Sequence, residues 1–165
     1  MNQIERIIGS EILRKLPYEP NSQQMEIIAA LSKFVADTDG RSVFLLNGYA
    51  GTGKTSLAGA LVAALPALRR QAVLLAPTGR AAKVFAAYSR HSAFTIHRKI
   101  YQSRRYNPED SHFCLARNNH KNTLFIVDEA SMIANNASEG AVFGTGCLLD
   151  DLITYVYSGE GCRLI

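Results

Sequence analysis

The chain has 165 residues, enough for one domain with a single buried core. Apolar residues make up 47% and charged residues 19%, which excludes a disordered polyelectrolyte, and the longest apolar runs fall far short of the ~20 residues that cross a bilayer. Net charge is +4, but residues 80–121 hold nine Lys/Arg against Glu109 and Asp110, so that segment carries an excess of seven and the remainder stands at −3. Such a segment fits a polyanion-binding face or a solvated surface loop. Glu5 and Glu11 interrupt the first segment and no small-residue cleavage site follows, which argues against a signal peptide over Met1–Leu16. Cys114, Cys147 and Cys162 are odd in number and lack metal-type spacing, so reduced thiols in a cytoplasmic protein are the simplest reading.

In chain order, Ile4, Ile7, Ile8, Ile12 and Leu16 share one helical face, which predicts an amphipathic helix over 3–16 that Pro17 and Pro20 end. Ser22 is placed to cap a second helix over 23–36, with Ile27, Ile28, Leu31 and Val35 inward, and Asp39-Gly40 reads as a turn. Val43–Leu46 is a short apolar run of strand type. A helix over 54–65 follows, with Leu57, Leu61 and Leu65 on one face and Pro66 at its end. Ala72–Ala76 reads as a second buried strand, followed by a helix from about Gly79 to Tyr88 and a short helix over Thr95–Tyr101. Residues 102–121 look polar and irregular. Leu124–Val127 is a third buried strand, Cys147–Tyr157 a helix and Cys162–Ile165 the beginning of a fourth strand. Short all-apolar strands alternating with helices predict an α/β fold, a parallel sheet covered on both faces.

Two motifs carry chemistry. Gly48-Tyr-Ala50-Gly51-Thr52-Gly53-Lys54-Thr55 matches G-x-x-x-x-G-K-[ST] in full, between a predicted strand and a predicted helix. Chance gives this pattern in about one chain in 200 of this length. The glycines let the backbone wrap close to a phosphate, and successive N–H groups at a helix start form an anion nest. Lys54 adds a point charge for the β- and γ-phosphates, and the Thr55 hydroxyl is a Mg²⁺ ligand in this arrangement. Ser56 follows in the same first turn. Leu124-Phe-Ile-Val-Asp128-Glu129 is an apolar strand ending in two carboxylates. Parallel strands deliver their ends to one edge, so Asp128 is expected to hold Mg²⁺ and Glu129 to orient and deprotonate an attacking water. Taken alone, such a pair reads equally as solvated strand-end charges.

Together these residues resemble the first motor domain of a RecD-like superfamily 1 DNA helicase. Gly48–Thr55 and Asp128-Glu-Ala-Ser-Met132 look like that family's first and second motifs. Ala76-Pro-Thr-Gly-Arg-Ala-Ala-Lys83 resembles its motif Ia, Thr95-Ile-His-Arg98 the segment after it, and Gln24 the glutamine that reads adenine. The five stand in the family's order over residues 22–132. The resemblance implies a RecA-like three-layer αβα P-loop NTPase fold, with residues 1–20 as an N-terminal helix and linker and 21–165 as the ATPase core. It implies ATP-driven translocation on single-stranded DNA and duplex unwinding, with ATP and Mg²⁺ as cofactors. Gln24 would contact adenine, and Gly51, Gly53, Lys54 and Thr55 the phosphates. Thr78, Gly79 and Arg80 would contact the DNA backbone, flanked by Lys83. His97 lies in the segment that follows. Phe94, Tyr101, Tyr106 and Phe113 are interleaved with the basic residues and could stack bases or pack in the core.

The family's next motif, an apolar strand followed by Gly-Asp and a Gln, is not found after the Asp-Glu pair, and the second motor domain of the same chain that the resemblance implies is expected to be missing from these residues. The expectation is a domain cut short near its fourth core strand, a strand that in such ATPases lies between the P-loop strand and the Asp-Glu strand. Other subunits are not indicated. A non-helicase P-loop ATPase, whose basic segment is a solvated surface, is the competing reading, and these 165 residues by themselves are expected to bind nucleotide with little or no turnover.

Overall fold

The computed structural model describes residues 2–37, 40–49, 51–104, 112–134 and 142–165. Helix α1 (Gln3–Lys15) opens on an Asn2 cap, and α2 (Ser22–Ala36) on an Asn21 cap. Asn21, not Ser22, therefore starts the second helix. Its Oδ1 accepts from Gln24 N at 2.9 Å while Gln24 Oε1 accepts from Asn21 N at 3.0 Å, a reciprocal capping box that satisfies two otherwise orphaned donors. The buried face of α1 is Ile8, Gly9 and Ile12. Ile4 and Ile7 lie outside it, 60% and 49% exposed, because the ridge that meets α2 and α3 starts one turn later.

Helix α3 (Lys54–Ala64) buries Leu57 and Leu61, and a 3₁₀ turn (Leu65–Leu68) carries Pro66 beyond it. Strand β1 (Gln71–Ala76) and helix α4 (Gly79–Ser89) follow as expected. The segment predicted as one short helix is three elements. Thr95 ends a strand, β2 (Ala93–Thr95), and also caps α5 (Ile96–Ile100); Tyr101 begins β3 (Tyr101–Arg104). β3 pairs antiparallel with β4 (His112–Leu115), so the stretch read as irregular contains a hairpin. Arg105, Tyr106, Glu109 and Asp110 of that stretch, and Asp39 of the predicted turn, lie outside the described residues. β5 (Thr123–Val127), a 3₁₀ turn (Ala130–Met132), α6 (Leu148–Tyr157) and β6 (Arg163–Leu164) complete the chain order.

The main sheet runs β2-β1-β5-β6, parallel throughout, with Val73 opposite Phe125 and Phe125 opposite Leu164. Strand alternation sends side chains to two cores. Leu74, Leu124 and Ile126 join Ile12, Leu31, Leu61 and Phe85 under α1–α4. Val73, Leu75, Phe125 and Leu164 join Ile96, Ile100, Leu152 and Val156 under α5 and α6. This is the three-layer αβα P-loop arrangement the sequence predicts.

Val43–Leu46 forms no named strand. Phe44 N donates to Leu164 O at 3.0 Å, and Phe44 and Leu46 pack on the first core while Val43 and Leu45 are exposed. β6 is only two residues long, so the segment finds a single ladder bond rather than a strand's worth. It still lies on the far side of β6 from β5, the position expected for the strand leading into the glycine-rich loop.

β6 also buries a charge. Arg163 is 1% exposed; its guanidinium donates to Asp37 O at 2.8 Å and Ser42 Oγ at 3.0 Å, pairs with Asp37 Oδ2 at 3.3 Å, and lies 4.2 Å over the Phe34 ring. These contacts tie the end of α2 to the sheet at the residues that lead into the loop. In the second core Asp151 is buried and accepts from Tyr101 Oη at 2.6 Å and from Thr145 N and Oγ1 at 3.0 Å each; burial first, and this bond second, push the Tyr101 phenol well above its ordinary range. Among the described residues no helix is long and apolar enough to cross a membrane.

Candidate nucleotide site and the adjoining sheet edge

The loop between residue 46 and α3 needs glycine at two points. Gly51 and Gly53 have φ of +79° and +87°, a left-handed region where a Cβ is costly. Gly53 serves as the N-cap of α3, so the N–H groups of Lys54, Thr55 and Ser56 open the helix with no carbonyl of its own to meet. Those donors and the helix dipole together suit an anion. A Cβ at Gly53 would come to 2.7 Å from Tyr18 Oη and 3.1 Å from Gln24 Nε2. Tyr18 and Gln24 therefore pack against the loop at Gly53.

Lys54 Nζ donates to Gly48 O at 2.6 Å and Tyr49 O at 2.8 Å, and Thr52 Oγ1 donates to Tyr49 O at 2.8 Å. The lysine thus lies across the loop, its charge held on the loop's own carbonyls. These are weaker partners than a phosphate oxygen, so the ammonium is poised for exchange to one. A cavity of about 550 Å³ runs along this loop and is lined by Gly51, Lys54 and Ser56 together with Tyr18, Gln23 and Gln24. That volume falls in the usual range for small-molecule sites.

Gln24 links the start of α2 to the loop. Its Oε1 is engaged in the helix cap, and its Nε2 donates to Thr52 O at 3.2 Å. A primary amide has two N–H groups and two carbonyl lone pairs, so one of each remains for a ligand. That remaining pair is the set an adenine edge requires. Thr55 is half-buried and is not part of the cavity wall; Ala50 lies outside the described residues.

The carboxylates follow β5. Asp128 N donates to Leu75 O at 3.0 Å, and Asp128 Oδ1 accepts from Glu129 N at 3.0 Å, which leaves Oδ2 open to a ligand. Glu129 is exposed with φ +56°, a strained setting for a non-glycine residue that turns the chain sharply after the strand. Neither residue lines the cavity. Val127 N donates to Ile165 O at 2.9 Å, so β6 separates the Asp-Glu pair from the loop by one strand position on each side, about 10 Å in all. No cluster of three metal-ligating side chains occurs among the described residues.

One strand further, Thr78 follows β1 and caps α4, its Oγ1 accepting from Ala81 N at 3.2 Å. Gly79, Arg80 and Lys83 are exposed beside it. Thr95 does the same for α5 after β2, accepting from Arg98 N at 3.3 Å. His97 is half-buried, its ring 5.3 Å from Phe143 and 5.8 Å from Tyr101. Tyr101 is buried and Phe113 stacks on Phe143 at 4.6 Å, so both belong to packing rather than to an open base platform. Phe94 carries Arg98 and Lys99, each 5.8 Å from its ring centre.

A family model described as an AAA domain matches residues 20–142. The chain belongs to this AAA domain family. The match spans the glycine-rich loop, the Asp-Glu pair and the segments between them, and membership identifies the fold as a P-loop domain suited to binding and hydrolysing nucleotide, ordinarily with Mg²⁺. No curated protein matches the chain.

Sequence reasoning missed Tyr18 and Arg163. Tyr18 sits between two prolines with no motif to mark it. Arg163 is a charge inside an apolar run, and only the three-dimensional position of Asp37 and Phe34 accounts for it. The Asn21–Gln24 box had a readable signal, the N-x-x-Q spacing just ahead of an apolar run. Lys54→Ala is expected to weaken binding of ATP at least tenfold while leaving the thermal unfolding midpoint within a few degrees, because the lysine's contacts are exposed loop carbonyls; titration calorimetry beside a melting curve checks both.

Proposed function

We propose that this AAA domain is the first motor domain of a RecD-like superfamily 1 DNA helicase, binding ATP with Mg²⁺ and coupling its hydrolysis to movement on single-stranded DNA. One observation carries the reading: a single edge of a parallel sheet presents, strand by strand, a glycine-rich loop, an Asp-Glu pair and the Thr78 helix cap with Arg80 and Lys83 exposed beside it.

In this proposal the first-turn amides of α3 and the Lys54 ammonium bind the phosphates. Thr55 Oγ1 and an Asp128 carboxylate oxygen hold the metal. Glu129, exposed at the strand end, accepts the proton of a water and orients it. Gln24 reads the base with the donor and acceptor its cap and Thr52 leave free. Mg²⁺, when bound, screens the negative charge of the phosphates. The site residues therefore position, screen and move one proton, which is most of what phosphoryl transfer to water asks of a protein.

The DNA side rests on α4. A threonine hydroxyl and glycine amide at an exposed helix start suit one backbone phosphate, and Arg80 and Lys83, about one turn apart, flank it. His97 stays in the proposal as part of the next segment, with Tyr101 and Phe143 holding its ring. A second motor domain of the same polypeptide would close over the nucleotide, as the family resemblance implies, and relative movement of two such domains is the source of stepping.

In a polypeptide that also carries the second motor domain, Glu129→Gln should leave ATP affinity within about twofold and reduce DNA-stimulated turnover roughly 10²-fold or more, since the amide keeps the shape and removes the base. Normal turnover in a phosphate-release assay would remove Glu129 from that role. Single-stranded DNA affinity should fall steeply with salt, and reversal of Arg80 and Lys83 to glutamate should weaken it further and flatten the salt slope. Equal affinity and slope for wild type and the double reversal, by fluorescence anisotropy, would make the α4 face a solvated surface and favour a P-loop ATPase that does not act on DNA.

A further inference from the structure

The cavity beside the loop has a wall that the glycine-rich motif does not explain. Tyr18 lies in the short connection between α1 and α2, flanked by Pro17 and Pro20, whose fixed φ angles stiffen the link. Its hydroxyl reaches the spot directly over Gly53, 2.7 Å from where a Cβ would stand, and Gln24 Nε2 reaches the same spot at 3.1 Å. The tyrosine and the glutamine are therefore neighbours, and both line the cavity that Lys54 also lines. Tyr18 keeps 37% of its surface exposed.

We propose that Tyr18 is the face on which the nucleotide's base stacks, with Gln24 reading the base edge beside it. This rests on the nucleotide reading of the same cavity. An amide alone fixes the edge of a purine in its plane and leaves the ring faces in water. An aromatic side chain adjacent to that amide supplies the missing contact, since every base offers a π-face to stack. In this proposal the phosphates take the first-turn amides of α3 and Lys54, and the base takes Tyr18 of the α1–α2 link and Gln24 of α2, which meet the loop at Gly53. The N-terminal helix thereby acquires a part in the site: it packs on α2 and α3 and sets the position of the link that carries Tyr18.

The test uses the protein with three probes, ATP, ADP and inorganic tripolyphosphate, against wild type, Tyr18→Phe and Tyr18→Leu. Leucine keeps apolar bulk without an aromatic face, and melting curves verify the fold of each variant. Tyr18→Leu should lose about tenfold in affinity for ATP and ADP while binding tripolyphosphate as wild type does, and Tyr18→Phe should stay within about twofold for all three. The proposal is overturned if Tyr18→Leu binds ATP as wild type does. It is equally overturned if tripolyphosphate affinity falls in step with ATP, which would make Tyr18 a prop for the loop, or if phenylalanine loses as much as leucine, which would make the hydroxyl the contact. Wild type that binds none of the three probes would defeat the nucleotide reading itself, and this proposal with it.

Discussion

Parallel pairing is the constraint on which the remainder depends. β1 pairs with β5 and β5 with β6 in the same direction, and residues 43–46 meet β6 on its other side. Parallel strands cannot be joined by tight turns, so each must be followed by a crossover, and all strand ends emerge at one edge. The glycine-rich loop, Asp128-Glu129, Thr78 and Thr95 are all such strand-end residues. Their assembly along one line follows from strand direction, before any of their side chains makes a contact. The sheet achieves this with strands of two to six residues because both faces are buried, by two separate apolar clusters.

The weakest part of that framework is its edge beside β6, and the structure concentrates polar fastening there. A two-residue strand gives few ladder bonds. The Arg163 guanidinium supplements them by reaching Asp37 at the end of α2, Ser42 ahead of residues 43–46, and the face of Phe34. A buried arginine is costly unless its hydrogen bonds are met, and Nε lacks a partner among the described residues. What the arrangement achieves is position: it sets the approach of the chain into the loop. On the opposite side of the loop, Gln24 fastens Thr52 to the start of α2. The loop is thus held at both ends by contacts from the same helix.

Much of this was legible in the sequence, for reasons particular to each element. β1 and β5 are unbroken apolar runs because both faces are covered, and a short run of that kind fits little besides the interior of a sheet. The loop was legible because a left-handed turn at a helix start leaves glycine little competition. Residues 43–46 misled for a physical reason: they are apolar enough for a buried strand, yet Val43 and Leu45 face outward and only one ladder bond forms. β2 was too short to have a period, and β3 and β4 are four residues each, with only Tyr101, Phe113 and Leu115 among them packing on the second core. Ile4 and Ile7 matched the helical period without having anything to pack on, which periodicity cannot register. Tyr18 became visible as a site residue only once the fold placed it over Gly53.

The central claim is that one sheet edge holds nucleotide at the loop and DNA at the neighbouring strand end, and amide chemical-shift mapping tests it most directly. A non-hydrolysable ATP analogue with Mg²⁺ should perturb Gly51–Ser56, Gln24 and Asp128 first, and a short single-stranded oligonucleotide should perturb Thr78–Lys83 with little change at the loop. Perturbations from the analogue that leave the loop untouched, or from the oligonucleotide that cluster away from α4, would contradict the account.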